Sequence, residues 1–157
     1  MDKAKLIKKI VASLEGRWKK LAKAANEARE GATDSENKSE SKYDTRGLEA
    51  SYLAAGQAEQ AAELADAIGA VQALPVRDFA ADDPIALSAL VAVKFPGETF
   101  HYLMVPAAGG VEVEIDGTVI TTLAPQSPMA KALLGKREGE PVTLAPSAPQ
   151  GQVGRVR

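Results

Sequence analysis

The sequence predicts an α+β protein: an N-terminal antiparallel α-helical coiled-coil hairpin followed by a C-terminal antiparallel β domain with one short helix. Two observations carry this expectation. All nine prolines of the 157 residues fall at or beyond Pro75, and composition shifts there from Ala, Glu and Lys to Val, Thr, Pro and Gly. Apolar residues recur at helical spacing before that point and in β-branched runs after it. The hairpin is assigned to residues 1–73, with its tip at 31–44, and the β domain to residues 74–157.

The first helix is expected over Lys3–Glu30. Ile7, Val11, Leu14, Trp18, Leu21, Ala25 and Ala28 follow alternating steps of four and three, which is a coiled-coil seam. On this pattern Trp18 belongs to the core, and Gly31 supplies a left-handed cap. The segment GATDSENKSESKYD that follows is polar and holds no aliphatic residue larger than alanine. A second seam then runs through Gly47, Ala50, Ala54, Gln57, Ala61, Leu64, Ile68 and Val71. Small residues there allow close backbone approach but bury little area, so the hairpin is expected to be held best at its base. Helices of equal length, Lys3–Glu30 and Thr45–Gln72, would each be ~42 Å long and would carry the tip about 40 Å from the second domain.

After Leu74-Pro75, strands are expected at Leu87–Phe95, Thr99–Val105, Val111–Ile115 and Val119–Leu123. Pro96-Gly97 and Asp116-Gly117 are turn signals between neighbouring runs. Ser127–Leu134 reads as a short helix, with Ser127 as N-cap, Pro128 in the first helical position and Gly135 closing it. Glu140–Leu144 and Gln152–Val156 are candidate closing strands.

Composition excludes several functions. Hydrophobic residues make up 45% and charged residues 25%, while the net charge of −2 argues against duplex nucleic acid held by bulk charge. The chain has no cysteine, which removes disulfides, thiolate metal sites and cysteine nucleophiles. The start lacks the apolar run of a signal peptide, and no stretch approaches the ~20 apolar residues of a membrane span, so a cytoplasmic protein without a membrane partner is expected. His101 is the only histidine, on an expected strand without a partner His or Cys, and no Ser-His-Asp motif accompanies it, so no metal or triad role is expected. Aromatic residues are only 4%, against a proline-binding pocket. Lysines and arginines crowd the first helix; they either touch nucleic acid or an acidic surface, or form a solvated face paired with Glu59, Glu63 and Asp66.

Two segments carry a family resemblance. SPMAKALLGKREGEPV, Ser127 to Val142, strongly resembles the hallmark near the end of Gre-type bacterial transcription elongation factors. That hallmark is Ser-Pro, a short helix rich in Ala and Leu, Gly-Lys, and an acidic glycine-containing turn into a strand. EAREGATDSEN, Glu27 to Asn37, is similar to the segment in which those factors turn the coiled-coil tip. The order of the parts also matches. The resemblance implies an FKBP-like fold without isomerase activity for residues 74–157, and a coiled coil that enters the secondary channel of RNA polymerase. It implies an accessory factor, not an enzyme in its own right, that stimulates the polymerase's own cleavage of backtracked RNA.

Under the resemblance, Asp34 and Glu36 are the catalytic and metal-binding candidates, holding Mg²⁺ jointly with the polymerase near the nascent RNA 3′ end. Hard carboxylate oxygens suit that ion. Gln126, Ser127, Pro128 and Met129 are the candidates for gripping the channel rim. Asp34-Ser35-Glu36-Asn37 is one residue shorter than the family's Asp-x-x-Glu-Asn, residues 38–44 form a longer stretch than usual, and Gln126 stands where an acid is common. Glu40 and Asp44 are therefore reserve ligands. The alternative at the tip is a solvated loop in which Asp34 and Asp44 serve as turn and cap residues, with Lys38 and Lys42 neutralising it or touching phosphate. The alternative functions are a secondary-channel regulator lacking cleavage stimulation, and a coiled-coil interaction module unrelated to transcription.

Overall fold

The computed structural model describes residues 2–33 and 46–157. Helix α1 spans Lys3–Thr33 and α2 spans Arg46–Gln72. Strands β1 (Leu90–Phe95), β2 (Glu98–Met104), β3 (Glu112–Ile115) and β4 (Thr118–Leu123) follow, then α3 (Pro128–Leu133), β5 (Pro141–Val142) and β6 (Gly151–Val156). No helix among the described residues is long and apolar enough to cross a membrane.

The chain divides into two compact units. One contains residues 1–13 and 67–157, and the other residues 14–66. The first turns of α1 and the end of α2 therefore belong with the sheet, although composition changes at Leu74-Pro75.

In the sheet unit, six strands lie in the order β3-β4-β2-β1-β6-β5. Four pairings are antiparallel, but β2 and β4 run parallel, with His101 beside Ile120 and Leu103 beside Thr122. The sheet is thus mixed where the sequence reading expects an antiparallel one. The physical reason is that β3, which lies between β2 and β4 in sequence, goes to the sheet edge. Both expected hairpin turns form. Gly97 takes φ 85° between the paired Phe95 and Glu98. Asp116 and Gly117 take φ 51° and 75°, as a tight turn matching strand twist requires.

One sheet face presents Val91, Val93, Met104 and Leu123 to Ala130 and Leu133 of α3, and Phe79, Ile85, Val142, Val153 and Val156 complete this core. Burial at this density is the main stabilising term. The start of α1 is buried more broadly than a seam: Leu6 and Ile10 are fully buried beside Ile7 and Val11. Lys9 ties this end of α1 to β3, its ammonium donating to the Glu114 carbonyl at 2.8 Å. Lys3 is also buried. Its ammonium donates to the carbonyls of Arg77 and Ser88 and lies 5.0 Å from the Phe79 ring centre. Burial holds its pKa below the ordinary lysine range, with Asp78 opposing and Arg77 adding to the fall.

In the helical unit, Ala25 and Arg29 of α1 share a cleft with Ala54 and Ala58 of α2, as an antiparallel pair places them. Ala25, Ala54 and Ala61 are buried seam residues, but Trp18 is 38% exposed and is not core. An indole is too wide for a seam set by alanines. α1 does not end at Glu30; it passes through Gly31, whose φ is not left-handed, to Thr33. Neither Glu59, Glu63 nor Asp66 forms an ion pair among the described residues. In this unit Lys23 of α1 instead pairs locally with Glu27 at 3.7 Å.

Candidate functional site

The segment after β4 is built to hold a short helix still. Ala124 is buried, and the Ser127 amide donates to its carbonyl at 3.0 Å. Ser127 sits at φ −70°, ψ 147°, and its hydroxyl accepts from the Ala130 amide at 3.2 Å. This satisfies one of the amides that a helix start leaves unpaired. Pro128 occupies the next position, where a missing amide costs nothing. Ala130 and Leu133 anchor α3 in the core, and Met129 packs partly against it. Gln126 and Pro128 are left exposed, with Ser127 and Met129 half-buried between them and the core. All four predicted docking residues therefore fall on one turn, presenting an amide and a proline ring to solvent.

The rest of the segment is a backbone clamp. Gly135, at φ 82°, ends α3 and donates to the Ile85 carbonyl at 2.9 Å, while the Ile85 amide donates to the Lys136 carbonyl at 2.8 Å. The Arg137 guanidinium reaches the Asp82 carbonyl at 2.9 Å. The Glu138 carboxylate accepts from the Val156 amide at 2.7 Å, and the Val153 amide donates to the Glu140 carbonyl at 2.8 Å. These contacts cover the outer edge of β6, which β5 pairs only at its start. The Gly-Lys and acidic-turn residues of the hallmark thus have structural work, whereas Pro128 and Lys131, with Gln126 just before them, are exposed.

The tip candidates Asp34 and Glu36, the reserves Glu40 and Asp44, and Lys38 and Lys42 lie outside the described residues. Among the described residues no group of three or more His, Asp or Glu is placed to hold a metal ion. His101 is half-buried on β2 beside Ala92, and among the described residues no carboxylate pairs with it.

One feature of the sheet unit has no counterpart in the sequence reading. A groove of about 720 Å³ lies along β6, walled by Lys3, Lys94, Glu138, Gln152, Arg155 and Arg157 among others. Its signal was the alternation at the end of the sequence, where Arg155 and Arg157 flank the buried Val156.

No protein-family model matches the chain, and no curated protein matches it. Solved structures of Gfh1 are similar to it. The crystal structure of the GreA factor homolog 1 (Gfh1) protein of Thermus thermophilus is 21% identical, with a TM-score of 0.38, over 98% of this chain and 93% of that one. Thermus aquaticus Gfh1 is 23% identical, with a TM-score of 0.39, over 96% of this chain and 92% of that one. A structure of the transcription factor Gfh1 is 22% identical, with a TM-score of 0.37, over 96% and 92%.

Proposed function

We propose that this protein is a Gre-type accessory factor of bacterial RNA polymerase, acting through the enzyme's secondary channel to stimulate cleavage of backtracked RNA. The observation that carries this reading is the Ser127–Val142 segment. Its hallmark residues fold into a capped, clamped turn that leaves Gln126 and Pro128 exposed on a rigid support. A preformed surface of this kind docks without an ordering cost.

In this reading the sheet unit docks through Gln126, Ser127, Pro128 and Met129, and the tip contributes Asp34 and Glu36. Two carboxylates offer the hard oxygens that Mg²⁺ takes, and together they can share an ion with polymerase carboxylates. When bound there, the ion supplies positive charge at the scissile phosphodiester. The protein's own part is to bring those oxygens to the RNA 3′ end and to raise local occupancy; the nuclease activity is the polymerase's.

The test is RNA cleavage in a purified backtracked complex, with and without the protein. Asp34→Asn and Glu36→Gln are expected to reduce stimulation sharply while binding persists, and extra Mg²⁺ or Mn²⁺ is expected to restore part of it. The Asp34-Ser35-Glu36-Asn37 spacing, one residue short of the family pattern, favours a second reading: a channel-binding regulator without cleavage. Polymerase binding that inhibits synthesis and yields no cleavage products with the unmodified chain would establish that reading instead.

A further inference from the structure

We propose that the groove along β6 is a binding site for a small polyphosphate, either an inorganic chain or the polyphosphate tail of a nucleotide, recognised through its phosphates and not through a base.

The charges lining the groove suit an anion. Lys94, Arg155 and Arg157 line it, and their side chains form no hydrogen bond or ion pair among the described residues. Two acids share the walls with them. Glu138 accepts from the Val156 amide at 2.7 Å, and Asp78, which forms no ion pair among the described residues, acts on Lys3 only through its charge. A structural ion-pair network would leave no surplus. Here Lys3, Lys94, Arg155 and Arg157 line one groove with two acids, in a chain whose net charge is −2. Holding like charges together in a cleft is unfavourable, and a multivalent anion relieves it.

The backbone fixes these side chains. Between the paired Val91–Val156 and Val93–Val153, Ala92 faces two residues of β6, Gly154 and Arg155. The amide and carbonyl of Leu90 bond the carbonyl and amide of Arg157 at 3.0 Å each. A side chain at Gly154 would be tight, because a Cβ there would lie 3.1 Å from the Ala92 carbonyl oxygen. It would also lie 3.5 Å from Lys94 Cε, so the lysine stem passes over Gly154. Arginine forks grip phosphate oxygens in pairs, and a lysine adds a point charge. A volume of about 720 Å³ lies within the range of small-molecule sites.

Base recognition is not provided. Phe79 is the aromatic in the groove wall, and its ring already carries the Lys3 ammonium at 5.0 Å and the Arg77 guanidinium at 3.9 Å. A stacking base would have to displace one of these cations. The ligand is thus expected to be read by charge number, with tripolyphosphate, ATP and GTP binding alike and AMP binding more weakly.

Isothermal titration of the full chain with tripolyphosphate, ATP, GTP, AMP and a single-stranded oligonucleotide tests this. Similar affinities for the first three are expected, falling as salt rises. The double variant Lys94→Gln/Arg155→Gln is expected to weaken binding roughly tenfold or more. Both residues are exposed, so the fold, checked by circular dichroism, should persist. Arg155→Lys is expected to fall between the two, since charge is kept and the fork is lost. Absence of tripolyphosphate binding, or equal binding by the double variant, overturns the proposal. Tighter binding of the oligonucleotide than of tripolyphosphate overturns the small-ligand assignment in favour of a nucleic-acid strand.

Discussion

The sheet unit and the helical unit bury different kinds of side chain. In the first, Leu6, Ile10, Met104, Ile120 and Leu133 are fully buried, and a valine-rich sheet face closes over α3. In the second, the buried seam is largely alanine, while Leu48, Tyr52 and Leu53 of α2 are each more than half exposed. Area removed from water sets the hydrophobic contribution, so the same number of contacts stabilises the two regions unequally. The difference makes local opening less costly in the helical pair than in the sheet unit.

The sharpest way to break this comparison is to cut into each core. Leu133→Ala removes a fully buried side chain where α3 meets the sheet, and is expected to cost about 2–5 kcal/mol. Chemical denaturation checks this. A loss below about 1 kcal/mol would mean that α3 is not the keystone of the sheet unit. Ser127→Ala comes next. It removes the hydroxyl that accepts from the Ala130 amide, and is expected to cost about 1 kcal/mol, whereas Gln126→Ala should be near neutral for stability. If both variants weaken polymerase binding but only Ser127→Ala shifts the unfolding midpoint, the supporting and presenting roles are separated. In the helical unit, Ala61→Gly is expected to cost roughly 1 kcal/mol, mostly helix propensity, since little side chain is lost. Hydrogen exchange should show the loss as faster opening in α2, with the sheet amides unchanged.

Much of this fold was legible because local chemistry and tertiary structure agree. The turn glycines Gly97 and Gly117 and the Ser127 cap each specify their conformation without reference to distant residues. The failures have the opposite character. Periodicity identifies a strand but not its partner, so the parallel β2–β4 pair could not be read. The first strand begins at Leu90 and not Leu87, because buried Ser88 takes φ 70° and breaks the extended run. Gly31 resembles a cap, but an interior glycine costs a helix only about 1 kcal/mol, and α1 continues through it. Leu6 and Ile10 stood one step from the seam residues and were missed because a seam has one row, whereas this end of α1 is buried on a wider face. The β6 groove needed both a strand pairing and a bulge, neither of which is local. The capped turn at Ser127-Pro128 was legible as local structure, while the proposed chemistry rests on Asp34 and Glu36, which lie outside the described residues.

Trp18 gives the smallest expected effect and the finest test. The four-three spacing puts it in the seam, and a core tryptophan replaced by alanine would cost roughly 3–5 kcal/mol. The structure instead leaves it 38% exposed on α1, between the buried Leu14 and Ala25. Its indole shields part of the helix surface without filling an enclosed space, and alanine is the better helix former. The gain in propensity offsets part of the lost contact, so Trp18→Ala is expected to change stability by less than about 1 kcal/mol. Since Trp18 is the only tryptophan, its fluorescence reports this one position. Emission close to that of solvated indole, with ready quenching by iodide, agrees with the exposed placement. A blue-shifted, protected signal together with a loss of several kcal/mol would restore Trp18 to the seam, and would mean that the helical unit is held by more than its alanines.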